Sequence, residues 1–423
     1  MKSKNLANGV DLHIVSAPKF KTNLMSVFFN IPLKRETVTR AALLPSVLKR
    51  GSKTYPTLRD MSRRLDDLYS ASMRSGVRSK GDGEVLYFSS EYISDKYVPE
   101  NLTRHIAEFI KEFIFFPLVE GNGFKADFVN SEKTNLKNAI ESIINDKKEY
   151  AELKCREAMF GNDGYGMPEI GYAEDLDDIT PVNLYEFYQN VLSSAKVDIF
   201  ISGTVDDKCI CDIEEILGSC FKPRESGYID TKIAEITDGN IKTVVEDADT
   251  VQSKLCMGLR CNIEPCSDQY PALVLGSCIF GGSPFSKLFN NVREKLSLAY
   301  YAVAKTSKFK SVMMISSGIQ TENYQAAYDE IMAQFNKMQK GDIEDFEIEA
   351  AKKYLTNSYN SLSDSLRGME DYYLSQVIMG VDESIDELLK KLYTIDKESI
   401  AAAMSKIKFD TVYFLKGKTT GEV

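Results

Sequence analysis

The order of predicted elements occurs twice along the 423 residues. A strand at 23–31 is followed by an apolar helix at 40–50 and a second helix that starts from the Thr57 cap and carries Leu58, Met61, Leu65 and Leu68. A hairpin then pairs 71–79 with 84–91 through Lys80-Gly81-Asp82-Gly83, whose glycines supply the positive φ of a tight turn, and an amphipathic helix occupies 101–115. From about 251 the succession repeats: a strand at Lys254–Arg260, helices at 271–280 and 285–296, a hairpin of 299–306 with 311–318, and a helix from Tyr324 to Met338. Each half closes on an apolar strand, Val197–Gly203 and Thr411–Gly417. A mixed succession of strands and helices repeated at this length restricts the chain to two similar units, each with its own core. The expected fold class is α+β, with two homologous α/β-sandwich-type units in tandem. Residues 1–205 form the first, 206–250 a polar connector and 251–423 the second.

Charge narrows the partners. The net charge of -10 and a pI near 5.1 leave no basic field to collect phosphates, so neither nucleic acid nor an anionic membrane surface is an expected partner. At the N-terminus, Val10, Leu12 and Ile14 alternate with Asp11 and His13, which reads as a strand and not as the continuous apolar core of a signal peptide. The longest apolar run, Pro271 to Phe280, is too short to span a bilayer, and a cytoplasmic location is expected. The eight cysteines show no paired C-x-x-C spacing and read as isolated thiols. With two histidines in the chain, His13 and His105, and no second imidazole and carboxylate at ligand spacing from either, no zinc site is expected.

Possible chemistry concentrates between 280 and 300. Gly281 and Gly282 close an apolar run, a helix carrying Leu288, Phe289 and Val292 follows, and Arg293 and Tyr300 stand seven apart across the passage from that helix into a strand. Taken alone, such a pair reads first as an arginine on a neighbouring carboxylate and a tyrosine in the core, and only second as a binding site.

Along nearly its whole length the chain resembles the insulinase/pitrilysin zinc peptidases. Gly281-Gly282 with Leu288-Phe289, Val292-Arg293-Glu294-Lys295 and Leu298-Ala299-Tyr300 is similar to the signature of that family's second unit. Tyr165-Gly166, Gly171 and Leu176–Tyr188 are similar to the closing signature of its first. The resemblance implies an insulinase-like metallopeptidase fold forming half of a peptide-enclosing chamber. It also implies a zinc motif H-x-x-E-H on a helix, in which two imidazoles one turn apart bind one metal and a glutamate acts as base. That motif is absent. Counted back from Arg50-Gly51-Ser52, the ligand and base positions hold Ala42, Pro45 and Ser46; the third-ligand position holds Ala139, with Glu141 two residues out of register.

The resemblance therefore implies a non-catalytic, zinc-less subunit, not a peptidase on its own, with zinc expected only in a partner. It implies that Arg293 and Tyr300 reach toward a zinc site in trans, the guanidinium holding a substrate carbonyl and the phenol donating to an oxyanion. The expected partners are a peptide and a zinc-bearing relative in a heterodimer, or a second copy of the chain. Within the family the chain most resembles bacterial zinc-less partner subunits associated with 5-aminopentanol modification of elongation factor P. The competing expectation is a catalytically inert peptide-binding or scaffold protein of the same fold.

Overall fold

The computed structural model describes residues 1–161, 163–233 and 240–418. Two compact units emerge, and neither is a continuous stretch of chain. The first comprises Met1–Glu141, Pro168–Asp230 and Leu362–Ile378; the second comprises Ser142–Met167, Thr231–Ser361 and Met379–Val423.

The first unit is built on strands β1 (Lys2–Ala7), β2 (Val10–Ser16), β3 (Thr22–Pro32), β4 (Ser72–Lys80) and β5 (Gly83–Ile93), with β8 (Lys196–Gly203) inserted in the order β1-β2-β8-β3-β5-β4. A minor hairpin of β6 (Val119–Glu120) and β7 (Gly123–Phe124) stands apart. Strand β8 runs parallel to β2 and antiparallel to β3. Its unbroken apolar run follows from cover on both faces. Val197, Ile199 and Ile201 enter the main core with helices Val38–Leu48, Leu102–Phe115 and Pro181–Ser194. On the opposite face, Phe200 meets Phe28, Val85 and Leu374, the last from helix Leu366–Ile378.

The second unit repeats this plan. Its strands β9 (Lys242–Asp247), β10 (Ser253–Arg260), β11 (Ala299–Ser307), β12 (Val312–Ile319) and β13 (Lys408–Lys416) lie in the order β11-β12-β10-β13-β9. Reversed, that order matches β2-β8-β3-β5-β4, including the one parallel pair, β9 with β13 in place of β2 with β8. One face carries a core of Leu255, Met257, Leu273, Phe280, Ile331 and Phe335. The other is covered by helix Lys147–Phe160, whose Ala151 and Cys155 pack against Cys256, Tyr413 and Leu415.

Three sequence expectations differ from this arrangement. The polar stretch from about 124 to 160, whose sequence reads as one long helical region, is two helices, Ala126–Ser142 and Lys147–Phe160; Asp146 caps the second by accepting from the amides of Lys148 and Glu149 at 2.9 and 3.0 Å. A linear division at 205 and 251 leaves 142–167 with the first half and 362–378 with the second, whereas each of these segments packs within the other unit. The reason is that each sheet has two apolar faces. The expected connector 206–250 is partly structural: helix Asp207–Ile216 enters the first core through Ile213 and Ile216, and β9 pairs with β13. Its residues 234–239 lie outside the described residues.

Candidate functional site

The helix that carries a zinc motif in the resembling family is Val38–Leu48, buried on most of its surface. Its sequence is apolar because it packs against the first sheet, and Ala42 and Pro45 are part of that buried surface. Pro45 lies inside the helix, where it has no amide to donate, and its carbonyl accepts from Ser75 Oγ at 3.2 Å. Ser46 is partly buried. On helix Ala126–Ser142, Ala139 is exposed, and Glu141 is exposed beside Lys137 at 3.9 Å.

Two methyl groups, a proline ring and one hydroxyl offer no imidazole or thiolate, so zinc does not fit here. Among the described residues no group of three or more His, Cys, Asp or Glu is placed to hold a metal ion. In the turn just past the first of these helices, Arg50 Nε stands 3.3 Å from Glu132 Oε1 of the second, with the guanidinium 5.9 Å from the Phe128 ring. This pair was not anticipated from the sequence, although Glu132 precedes Ala139 by seven residues on one helix face. His13 and His105 are both hydrogen-bonded, to Asp198 and Glu108 respectively, and lie on different elements.

The second candidate region is built more unusually. Helix Tyr270–Ser277 widens into a π-turn at Cys278–Gly282, and a second π-helix covers Leu288–Lys295. Gly281 allows the first π-turn to approach β11, since a Cβ there meets the Ala304 backbone nitrogen at 2.6 Å and Leu288 Cδ1 at 2.8 Å. Gly282 is less constrained, its nearest neighbour being the Ser277 carbonyl oxygen at 3.2 Å from a Cβ. After Lys295 the amides of Leu296 and Leu298 bond to the carbonyls of Asn291 and Val292, at 3.2 and 2.9 Å, and fold the helix end onto the start of β11. The reversal places Ser297 at φ +51°, the left-handed region.

Tyr300 follows at once. In the β11–β12 ladder Ala299 pairs with Ile319 and Tyr301 with Gly318, so Tyr300 is the extra residue of a β-bulge. Ala299, Ala302 and Ala304 are buried while Tyr300 is 58% exposed. It is not a core strand residue. Arg293 is 43% exposed; its Nε lies 3.4 Å from Glu294 and its guanidinium 4.8 Å from the Phe289 ring. Both side chains sit at one helix-to-strand junction on an edge strand of the second sheet. No contact between the two is described.

The rest of the chemistry-bearing inventory is structural. All eight cysteines are free, five of them buried. In the acidic run 344–349, Glu347 is buried and accepts from Lys287 Nζ at 2.8 Å. No helix among the described residues is long and apolar enough to cross a membrane.

Comparison with known proteins agrees with this picture. The family described as the peptidase M16 inactive domain matches residues 178–355. A probable inactive metalloprotease, YmfF of Bacillus subtilis, is 35% identical over 423 residues, covering 99% of this chain and 97% of that protein. An uncharacterized zinc protease, YmxG, from the same organism is 22% identical over 75% of this chain and 76% of its own length. Among solved structures, a conserved protein from Enterococcus faecalis V583 superposes with a TM-score of 0.92 at 31% identity, covering 99% of both chains. With relatives of this similarity along its whole length, the chain belongs to the M16 peptidase family as an inactive metalloprotease homologue.

Proposed function

We propose that this chain is the non-catalytic subunit of an M16-type peptidase, paired with a zinc-bearing relative to which it contributes Arg293, Tyr300 and a chamber wall for the peptide. The observation that carries the reading is the bulge at Tyr300. A bulge breaks one ladder pair and turns a side chain out of the alternation, and such devices concentrate beside active sites. Here it exposes a phenol at the junction that also carries the exposed Arg293, while Ala42, Pro45 and Ser46, where the resemblance puts ligands and base, offer no zinc-binding group. In that pairing the guanidinium orients a peptide carbonyl and the phenol donates to the oxygen that gains charge.

The second reading is an inert peptide-binding or scaffold protein of the same fold. It is favoured by Arg293 already engaging Glu294 and Phe289. Affinity capture of the tagged full chain from its native cell, with mass spectrometry of what remains bound, separates the two. The proposal expects a relative with an intact H-x-x-E-H in near-equal amount. Recovery of the chain alone, or only as copies of itself, contradicts it.

A further inference from the structure

A polar constellation in the first unit stands apart from Arg293, Tyr300 and the positions of the lost zinc motif. Asp198 on β8 is completely buried, and its carboxylate accepts from four donors. His13 Nε2 at 2.9 Å, Lys196 Nζ at 2.9 Å and Tyr228 OH at 2.6 Å meet Oδ1, and Asn30 Nδ2 at 2.8 Å meets Oδ2. Burial pushes this carboxyl toward the neutral form, but the His13 hydrogen bond and the Lys196 charge outweigh it and hold the group below the ordinary aspartate range.

An ionised acceptor facing Nε2 holds a proton on that nitrogen, and in the neutral ring that leaves Nδ1 as the acceptor. Ser3 Oγ lies 2.8 Å from Nδ1. The contact comes from register, since Ser3 on β1 is directly opposite His13 on β2. The ring is held in place: it is 3% exposed and packs against Phe200, tilted by 34° with centroids 4.6 Å apart. Ser3 itself is exposed. A cross-strand pair serving packing alone needs no fixed tautomer behind it; here a hydroxyl, an oriented imidazole and a buried ionised carboxylate stand in sequence, as a nucleophile, its base and the orienter of the base. Strand β1 is the edge of its sheet, so Ser3 lies on the open side of the ladder.

We infer that Ser3, His13 and Asp198 form an esterolytic triad acting on small activated carboxylic esters, the class that an open strand edge without a walled pocket can admit. Ser3 Oγ attacks the ester carbonyl carbon as its proton passes to His13 Nδ1. The tetrahedral intermediate breaks its bond to the alcohol oxygen, which leaves with the proton from Nδ1. Water then attacks the acyl-serine with the same base, releasing the acid and restoring the hydroxyl.

The test is labelling of the full chain with a fluorophosphonate probe, with the site read by peptide mass spectrometry and p-nitrophenyl acetate hydrolysis followed in parallel. The expected result is a label on Ser3, abolished in Ser3→Ala and slowed about 10²–10⁴-fold in His13→Gln. Circular dichroism verifies that His13→Gln is folded. If it is not, the exposed-site variant Ser3→Ala decides, because equal ester hydrolysis by it and the wild type overturns the inference. So does a folded wild type that leaves Ser3 unlabelled, or labelling at Ser3 that a folded His13→Gln chain leaves unchanged.

Discussion

Ser297 holds a left-handed backbone conformation, at φ +51°, in the turn that delivers Tyr300 to its bulge. A β-carbon in this region is disfavoured by about 1–2 kcal/mol, of which glycine's greater freedom in the unfolded chain returns a part. Ser297→Gly is therefore expected to raise stability by about 0.5–1 kcal/mol in urea unfolding; a loss of stability would show that the serine hydroxyl matters more than the strain. Glu370, on helix Leu366–Ile378, is a second residue under tension. Burial pushes its carboxyl up to about 8, against the lowering influence of Arg78 and Arg367, and Oε2 has no hydrogen-bond partner. The folded chain keeps a proton that the unfolded chain releases above the ordinary glutamate range near 4.5. The protonated group's contribution is thus intact below that pH and lost as pH rises toward 8. Glu370→Gln should remove this slope and gain up to about 4 kcal/mol over wild type between pH 5 and pH 8. Denaturant titrations of both proteins at the two pH values check it, and parallel pH dependences contradict it.

At the scale of elements, the two π-turns and the bulge adjoin along β11: Gly281 lets the first turn touch the strand at Ala304, and the end of the second folds onto its start. Gly281→Ala forces a methyl within 2.6 Å of the Ala304 backbone nitrogen, an overpacking expected to cost about 1–3 kcal/mol and to lower the thermal midpoint. An unchanged melting curve would mean that the junction yields easily. Much of this level was legible in the sequence: the hairpin around Gly81, the cap at Thr57 and the seven-residue spacing of Arg293 and Tyr300 all depend on neighbours along the chain. Strand β9 was not, because Lys242–Asp247 is an exposed edge with a polar sequence and pairs only with a strand far along the chain. The bulge at Tyr300 also escaped, since it is set by the β12 register and not by residues 299–301. The contact of His13 with Asp198 joins positions 185 apart, beyond any local pattern.

For the whole molecule, the repeat of elements was enough to foresee two units of one topology, but not the reciprocal placement of 142–167 and 362–378. An amphipathic segment shows that it must cover an apolar face; it does not say which sheet supplies that face. The proposed role in trans rests on the absence of zinc-binding groups at Ala42, Pro45, Ser46 and Ala139 and on the exposure of Arg293 and Tyr300. The isolated chain should carry no stoichiometric zinc by metal analysis and should cleave no peptide, whereas one tightly bound zinc per chain with chelator-sensitive activity contradicts the assignment. The most direct measurement is peptide turnover by the reconstituted pair of this chain and its zinc-bearing relative. Removing a preorganised donor typically slows turnover about 10²–10³-fold, so Arg293→Ala or Tyr300→Phe should lower it to that extent with the complex intact by gel filtration, and Glu141→Gln should leave it unchanged. Wild-type turnover in both the Arg293 and the Tyr300 variants would reduce the junction to packing and contradict the account.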